Sequence, residues 1–226
     1  MSSSTTSDAA NDRVQTKPLY STFNVHPSDY IVIPCADGQR VLSKGFRFSP
    51  LDLDVAKHYL KNKVFGNPLP CEVILQKDDL YSYDPDKLCL SEFGYAKDDE
   101  AYFFTYNSEK NNRTFSTNSG YWEAKREEPI LDGCNIIANK KMFVFHEGKS
   151  PDGKKTNYVM KEYRLNPSLS LSSEDSTVKN KIENLVICKI RLRTPKTNLD
   201  LDVNMLEEIV EYADDEENDE EEQNTR

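Results

Sequence analysis

From Ala101 to Arg193 the chain repeats one pattern, and that pattern limits its fold more than any other feature. Short apolar runs rich in aromatic and β-branched residues alternate with polar or glycine-containing turns: AYFFTY, SGYWEAKR, KKMFVFH, TNYVMKEYRL and NLVICKIRL. Such residues favour a pleated, half-buried surface, and five segments of this kind predict a twisted, mainly antiparallel sheet. Upstream, YIVIPC also reads as a strand, limited by Pro34. Helical signals are few. Ser49 reads as an N-cap with Pro50 at the first helical position, and Leu51, Val55, His58 and Tyr59 recur at helical spacing, which predicts a helix over Pro50–Lys63. Pro68 and Pro70 interrupt the next stretch, and a shorter helical segment is expected at Cys71–Gln76. The serine-rich stretch Asn166–Lys181, between the last two strand segments, reads as a looped-out insertion. The expected class is therefore α+β, a twisted antiparallel β-sheet flanked by short α-helices.

One strand pair carries a distinctive charge pattern. In Lys140–Leu165, Met142–Phe145 and Tyr158–Met160 form two apolar runs around a turn that contains Gly148, Pro151, Asp152 and Gly153. Lys140, Lys141, Lys149, Lys154 and Lys155 gather at the two ends of that turn, where ammonium groups can follow a phosphate backbone. The same pattern also fits an ordinary solvated hairpin.

Charge is distributed unevenly along the 226 residues. The net charge of −10 conceals a segment, Asp200–Arg226, with thirteen acids and one base, so the rest of the chain is close to neutral at +2. Within it, Lys140–Lys196 has thirteen bases and six acids. A local basic face is thus compatible with an acidic chain. The organisation expected is a disordered segment at 1–28, one domain at 29–196 and an acidic tail at 197–226.

Several functional classes lack their residues. The five cysteines, Cys35, Cys71, Cys89, Cys134 and Cys188, are far apart, with no C-x-x-C pair and no histidine at zinc-ligand spacing. They read as small apolar residues in a reducing compartment, and no metal site is expected. His26, His58 and His146 are isolated, and neither a G-x-S-x-G elbow nor a phosphate-cradling glycine loop is present. The chain is not expected to be an enzyme or to hold a cofactor. No apolar run approaches the roughly 20 residues that cross a bilayer, so a soluble intracellular protein is expected.

Ordered sequence blocks resemble the plant NAC-domain family of transcription factors. LSKGFRFSPLDLDVAKHYL is similar to the family's L-P-P-G-F-R-F-x-P-T-D-E-E-L, and PLPCEVILQKDDLYSYDPDKL to its P-L-P…D-L-Y…P-W-x-L. Tyr102, Phe103 and Phe104 match W-Y-F-F, SGYWEAKREEPIL partly matches G-Y-W-K-A-T-G, and LVICKIRLR resembles V-L-C-R-I-Y-K-K. The resemblance spans Leu42–Arg193 and implies a sequence-specific double-stranded DNA-binding regulator of transcription in a plant nucleus, acting as a homodimer or as a heterodimer with other NAC-domain proteins. It also implies sites with a CGT core.

The family's G-Y-W-K-A-T-G strand enters the major groove, and Gly120–Arg126 corresponds to it here. Glu123 replaces a lysine, and Lys125 and Arg126 replace Thr-Gly with a one-residue deletion. The implied DNA-contacting set is Arg113, Tyr121, Trp122, Ala124, Lys125, Arg126, Lys140, Lys141, Lys149, Lys154 and Lys155. Trp122 equally fits a sheet-packing aromatic, and Lys125 and Arg126 fit solvated strand ends. The implied dimer contacts are Leu42, Arg47 and Asp54, of which the last two also fit an ordinary surface pair. A carboxylate at position 123 supports an alternative, a NAC-like regulatory dimer partner with weakened or lost DNA binding.

The acidic tail has three readings. Met205, Leu206, Ile209 and Val210 would share one face of a short helix, which suits an activation segment for a coactivator. The segment also fits a solubilising tail, or a competitor that covers the basic Lys140–Arg193 surface at high effective concentration. On the third reading, removal of residues 200–226 tightens binding to a DNA duplex at low salt; unchanged affinity in a gel shift excludes it.

Overall fold

The computed structural model describes residues 30–193 apart from 36–37, 89, 91–94, 96–98 and 173. The expectations for residues 1–28 and for the tail 197–226 lie outside the described residues. The first described element is a two-stranded antiparallel hairpin, β1 (Tyr30–Cys35) against β2 (Gly38–Ser43). A continuous helix comes next over residues 52–65, with α-helical ends at Asp52–Asp54 and Lys61–Phe65 and wider π-helical turns at Val55–Leu60. It buries Val55, Ala56, Tyr59, Leu60 and Val64, a stripe on one side of the helix.

The helix starts two residues later than the spacing predicted. Ser49 is not its cap; instead Leu51 is extended and its N–H donates to the Asp54 carboxylate at 3.4 Å. The expected second helix at Cys71–Gln76 is also absent. That stretch ends in the short strand β3 (Leu75–Gln76), followed by 3₁₀ turns at Leu80–Ser82 and Pro85–Leu88. Pairing with a neighbouring strand supplies the backbone partners that an isolated turn of helix would have to find internally.

The main sheet adds β4 (Glu100–Tyr106), β5 (Thr114–Ser116), β6 (Gly120–Asp132), β7 (Asn135–Glu147), β8 (Lys154–Leu165) and β9 (Leu185–Leu192). Its strand order is β3-β4-β9-β8-β7-β6-β5, antiparallel throughout except for β3 on β4. All five strand segments read from the sequence are present, and the fold is α+β. The serine-rich insertion is the remaining correction. It forms a 3₁₀ turn at Pro167–Ser172 and a helix at Ser176–Asn184, capped by Asp175 accepting from the N–H groups of Thr177 and Val178. Ile182 anchors that helix in the core.

Both faces of the sheet are covered. On one, Phe48 packs edge-on against Tyr59 and Tyr102, and Asp52 of the first helix accepts hydrogen bonds from Tyr163 (2.6 Å) and Lys140 (2.9 Å). On the other, Tyr81 packs on Phe115, which packs on Phe143. A buried polar network fastens the second of these layers to the sheet. Glu162 accepts from Tyr81, from Asn107 at 2.8 Å and from Arg164 at 3.0 Å, while Arg164 also donates to the carbonyls of Asn107 and Glu183. Removing one partner of such a pair leaves the other charge uncompensated, a loss of about 3 to 5 kcal/mol. Glu162→Ala is expected to lower stability by that amount in urea titration. Lys57→Ala, which deletes an exposed 2.8 Å pair with Asp132, is expected to cost under about 1 kcal/mol.

Candidate nucleic-acid interface

Among the described residues, strand β6 lies next to the edge of the sheet, flanked outside by the three residues of β5. Its first residues are locked to the β7–β8 turn by close backbone approach. A Cβ on Gly120 would lie 2.0 Å from the His146 carbonyl oxygen, and one on Gly153 would lie 2.6 Å from the Tyr121 ring, so only glycine fits either place. The Tyr121 hydroxyl donates to the Pro151 carbonyl at 2.9 Å and its ring stacks on His146. The preceding loop is held by the buried Asp84, which accepts from the Ser119 N–H at 3.0 Å and from the Thr117 hydroxyl. Burial would raise the Asp84 carboxyl, but those two partners outweigh it and hold it below its ordinary range.

Strand alternation then sorts the side chains. Trp122 and Ala124 pair with Phe145 and Phe143 and are buried; Trp122 is 1% exposed and packs on Phe145. Tyr121 is also buried. Glu123 lies on the opposite face from Trp122, its carboxylate 3.2 Å from the Lys125 ammonium and 3.5 Å from His146 Nε2. Between Ala124 and Glu127 the register with β7 shifts, so Lys125 and Arg126 stand opposite the single residue Met142. This is a β-bulge, which re-aims side chains at a sheet rim. Arg113 sits beside it, exposed, its carbonyl accepting from the Ala124 N–H at 2.7 Å. Arg126 reaches Glu128 at 3.2 Å.

The remaining cations divide. Lys149, Lys154 and Lys155 are exposed in and beside the β7–β8 turn, and Lys155 pairs in register with His146. Lys141 donates to the Lys110 and Asn112 carbonyls and lies over the Phe143 ring, so it braces the loop that leads to Arg113. Lys140 is turned inward. Its side chain is 11% exposed and lies 2.9 Å from Asp52 and 2.8 Å from Glu128. Burial alone would lower its pKa, but these carboxylates offset that and hold it above its ordinary range. Leu42 is half-buried against the core, whereas Arg47 is exposed and donates to the Phe46 carbonyl. Asp54 caps the first helix. Exposed apolar side chains, Val32, Val41, Phe46 and Leu51, occur on the same hairpin and helix entry. Among the described residues no group of three or more His, Cys, Asp or Glu could hold a metal, and no helix is long and apolar enough to cross a membrane.

Sequence reasoning missed His146, Asp84 and Asp52. Each acts through a residue 23 or more positions away in sequence, so no local motif marks it.

A mainly antiparallel sheet with few short helices is consistent with a NAC-type α+β domain. The chain belongs to the family described as No apical meristem (NAM) protein, whose sequence model matches residues 43–165. NAC domain containing protein 50 of Arabidopsis thaliana is 39% identical over 131 residues, covering 55% of this chain and 29% of that protein. NAC transcription factor 29 of Arabidopsis thaliana is 34% identical over 158 residues (67% of this chain, 57% of that protein), and NAC domain-containing protein 2 of Solanum lycopersicum is 34% identical over 171 (73% and 59%). The chain thus spans less than two thirds of the length of each.

The site also has a titratable element. Burial disfavours the His146 imidazolium more than Glu123 favours it, so its pKa lies below 6.5. Protons then bind the unfolded chain more readily than the folded one. The contribution of neutral His146 is complete above about pH 6.5 and is lost as pH falls through the folded value. His146→Gln is expected to flatten the fall in urea midpoint between pH 7.5 and 5; an unchanged pH dependence removes His146 from the account.

Proposed function

We propose that this chain binds double-stranded DNA through the β6 rim, as a homodimer or NAC heterodimer, and regulates transcription in the nucleus. The observation that carries this reading is the bulge at Lys125 and Arg126. It sets two cations beside Arg113 on a strand whose first residues are fastened to the turn that carries Lys149, Lys154 and Lys155. A rigid ribbon of this kind fits the major groove, and its cations match flanking phosphates. Glu123 does not face the duplex alone, because Lys125 and His146 lie on either side of its carboxylate. Trp122 and Ala124 contribute by fixing the strand from the buried face, Tyr121 by holding its start to the β7–β8 turn, and Lys140 and Lys141 by bracing its neighbours. The contact set is then Arg113, Lys125, Arg126, Lys149, Lys154 and Lys155. The dimer reading draws support from the exposed Arg47 and the apolar Val32, Val41, Phe46 and Leu51 around it.

A second reading has its own observation. Lys125 is paired with Glu123 and Lys140 with Asp52 and Glu128, which lowers the positive charge the rim presents. That favours a regulatory dimer partner that binds DNA weakly and sequesters competent relatives. A salt-titrated gel shift with a CGT-core duplex separates the two. The DNA reader gives a shifted complex whose log affinity falls steeply with log salt, and Lys125→Ala with Arg126→Ala reduces that slope by about one per lost phosphate contact. Lys140→Ala leaves the slope unchanged. No shift, with a dimer in light scattering that Arg47→Ala dissociates, establishes the partner reading instead.

A further inference from the structure

Two cysteines that are 36 positions apart in sequence converge where the opening hairpin meets the body of the domain. The Glu72 N–H donates to the Pro34 carbonyl at 2.9 Å, joining the end of β1 to the segment after the first helix. Proline has no N–H to return, so Pro34 takes part in this junction only as an acceptor. Cys35 and Cys71 are the residues immediately beside it, and both are half-buried and free. They share a neighbour. The Cys71 sulfur lies 3.2 Å from the Tyr59 hydroxyl. Burial, followed by the Cys71 contact and then the proximity of Cys35, pushes the Tyr59 phenol far above its ordinary range. The Cys71 thiol is itself raised by burial, with Tyr59 and Arg40 acting in the opposite direction and Cys35 adding to the rise. The other described cysteines differ: Cys134 is exposed, and Cys188 is buried against Tyr81.

We propose that Cys35 and Cys71 form a peroxide-sensitive thiol pair whose disulfide fastens the β1–β2 hairpin to the domain body. They flank one backbone hydrogen bond, and a disulfide forms where the Cα atoms lie within roughly 7 Å of each other. The Cys35 sulfur, 3.7 Å from the Ile33 carbonyl oxygen, turns from that oxygen to Cys71 as the bond forms. The chemistry needs an oxidant, hydrogen peroxide. The Cys35 thiolate attacks the O–O bond, since burial holds the Cys71 thiol protonated; it forms a sulfenic acid and releases hydroxide, which takes up the thiol proton to become water. The second thiolate attacks the sulfenic sulfur, the S–S bond forms, and the sulfenic oxygen leaves as a second water with the second proton. Two sulfurs each give up one electron, and peroxide accepts both. The loop so closed, residues 36–70, includes Leu42, Arg47 and Asp54. Disulfide formation does not depend on whether the chain binds DNA.

The test is a peroxide titration of the full chain, followed by alkylation of remaining thiols, digestion without reduction and mass spectrometry. The expected product is the tryptic peptide containing Cys35 joined to the one containing Cys71, two hydrogens lighter than their sum, in a chain that remains unlinked to others. Cys134→Ser leaves this product intact, and Cys71→Ser leaves Cys35 as a sulfenic acid that dimedone traps. Proteolysis within residues 36–70 slows after oxidation of the unmodified sequence. The proposal is overturned if Cys35 and Cys71 are still alkylated once Cys134 is oxidised, if either pairs with another cysteine or another chain, or if proteolysis of the loop is unchanged.

Discussion

Both faces of the main sheet must be kept from water, and the rest of the architecture obeys that constraint. The first helix seals one face with Val55, Ala56, Tyr59 and Leu60, and the 3₁₀ turns around Leu80 and Tyr81 seal the other through Phe115 and Phe143. Buried apolar area contributes roughly 25 cal/mol per Å², which makes this double burial the main stabilising term. A sheet covered on both sides has only its edges and end turns left to present charge. The bulge of β6 and the β7–β8 turn are therefore where a basic recognition surface can form at all.

Charges inside such a layered structure behave differently from charges at its rim. Glu162 and Arg164 are mutually satisfied and also bonded to Tyr81, Asn107 and backbone carbonyls, so they connect β8 to the 3₁₀ turn at Leu80–Ser82, to the end of β4 and to the helix at Ser176–Asn184. Lys140 is held the same way by Asp52 and Glu128. Lys149, Lys154 and Lys155 remain in water, where pairing is weak and easily exchanged for a phosphate. Burial, rather than the number of lysines, separates the scaffold cations from those available to a polyanion. Glu123 lies between the two groups: half-exposed, with cationic Lys125 on one side and His146 on the other.

The strands were legible because period-two alternation and aromatic or β-branched residues are local signals. The helix at Ser176–Asn184 was not, since its composition is that of a loop; the cap at Asp175 and the single buried Ile182 were the available cues. At Cys71–Gln76 the reverse occurred, because pairing with β4 decided the backbone of a segment without strong preference of its own. Among the site residues, the basic hairpin and the Lys125-Arg126 pair were visible in composition. Whether Trp122 faced a groove or the core was a question of register, which a one-residue shift inverts.

What the sequence determined alone was the strand series, the family and the segregation of charge along the chain, because all three are carried by neighbouring residues. What tertiary structure decided was which of those residues face water. Asp52 captures Lys140 from 88 positions away and Tyr163 from 111, and Glu72 bonds the carbonyl of Pro34 on the distant β1 strand. Contacts at such separations depend on how the chain closes its loops and stacks its layers. No window of sequence contains them, so only the folded chain distinguishes a lysine that braces the sheet from one that can meet a phosphate.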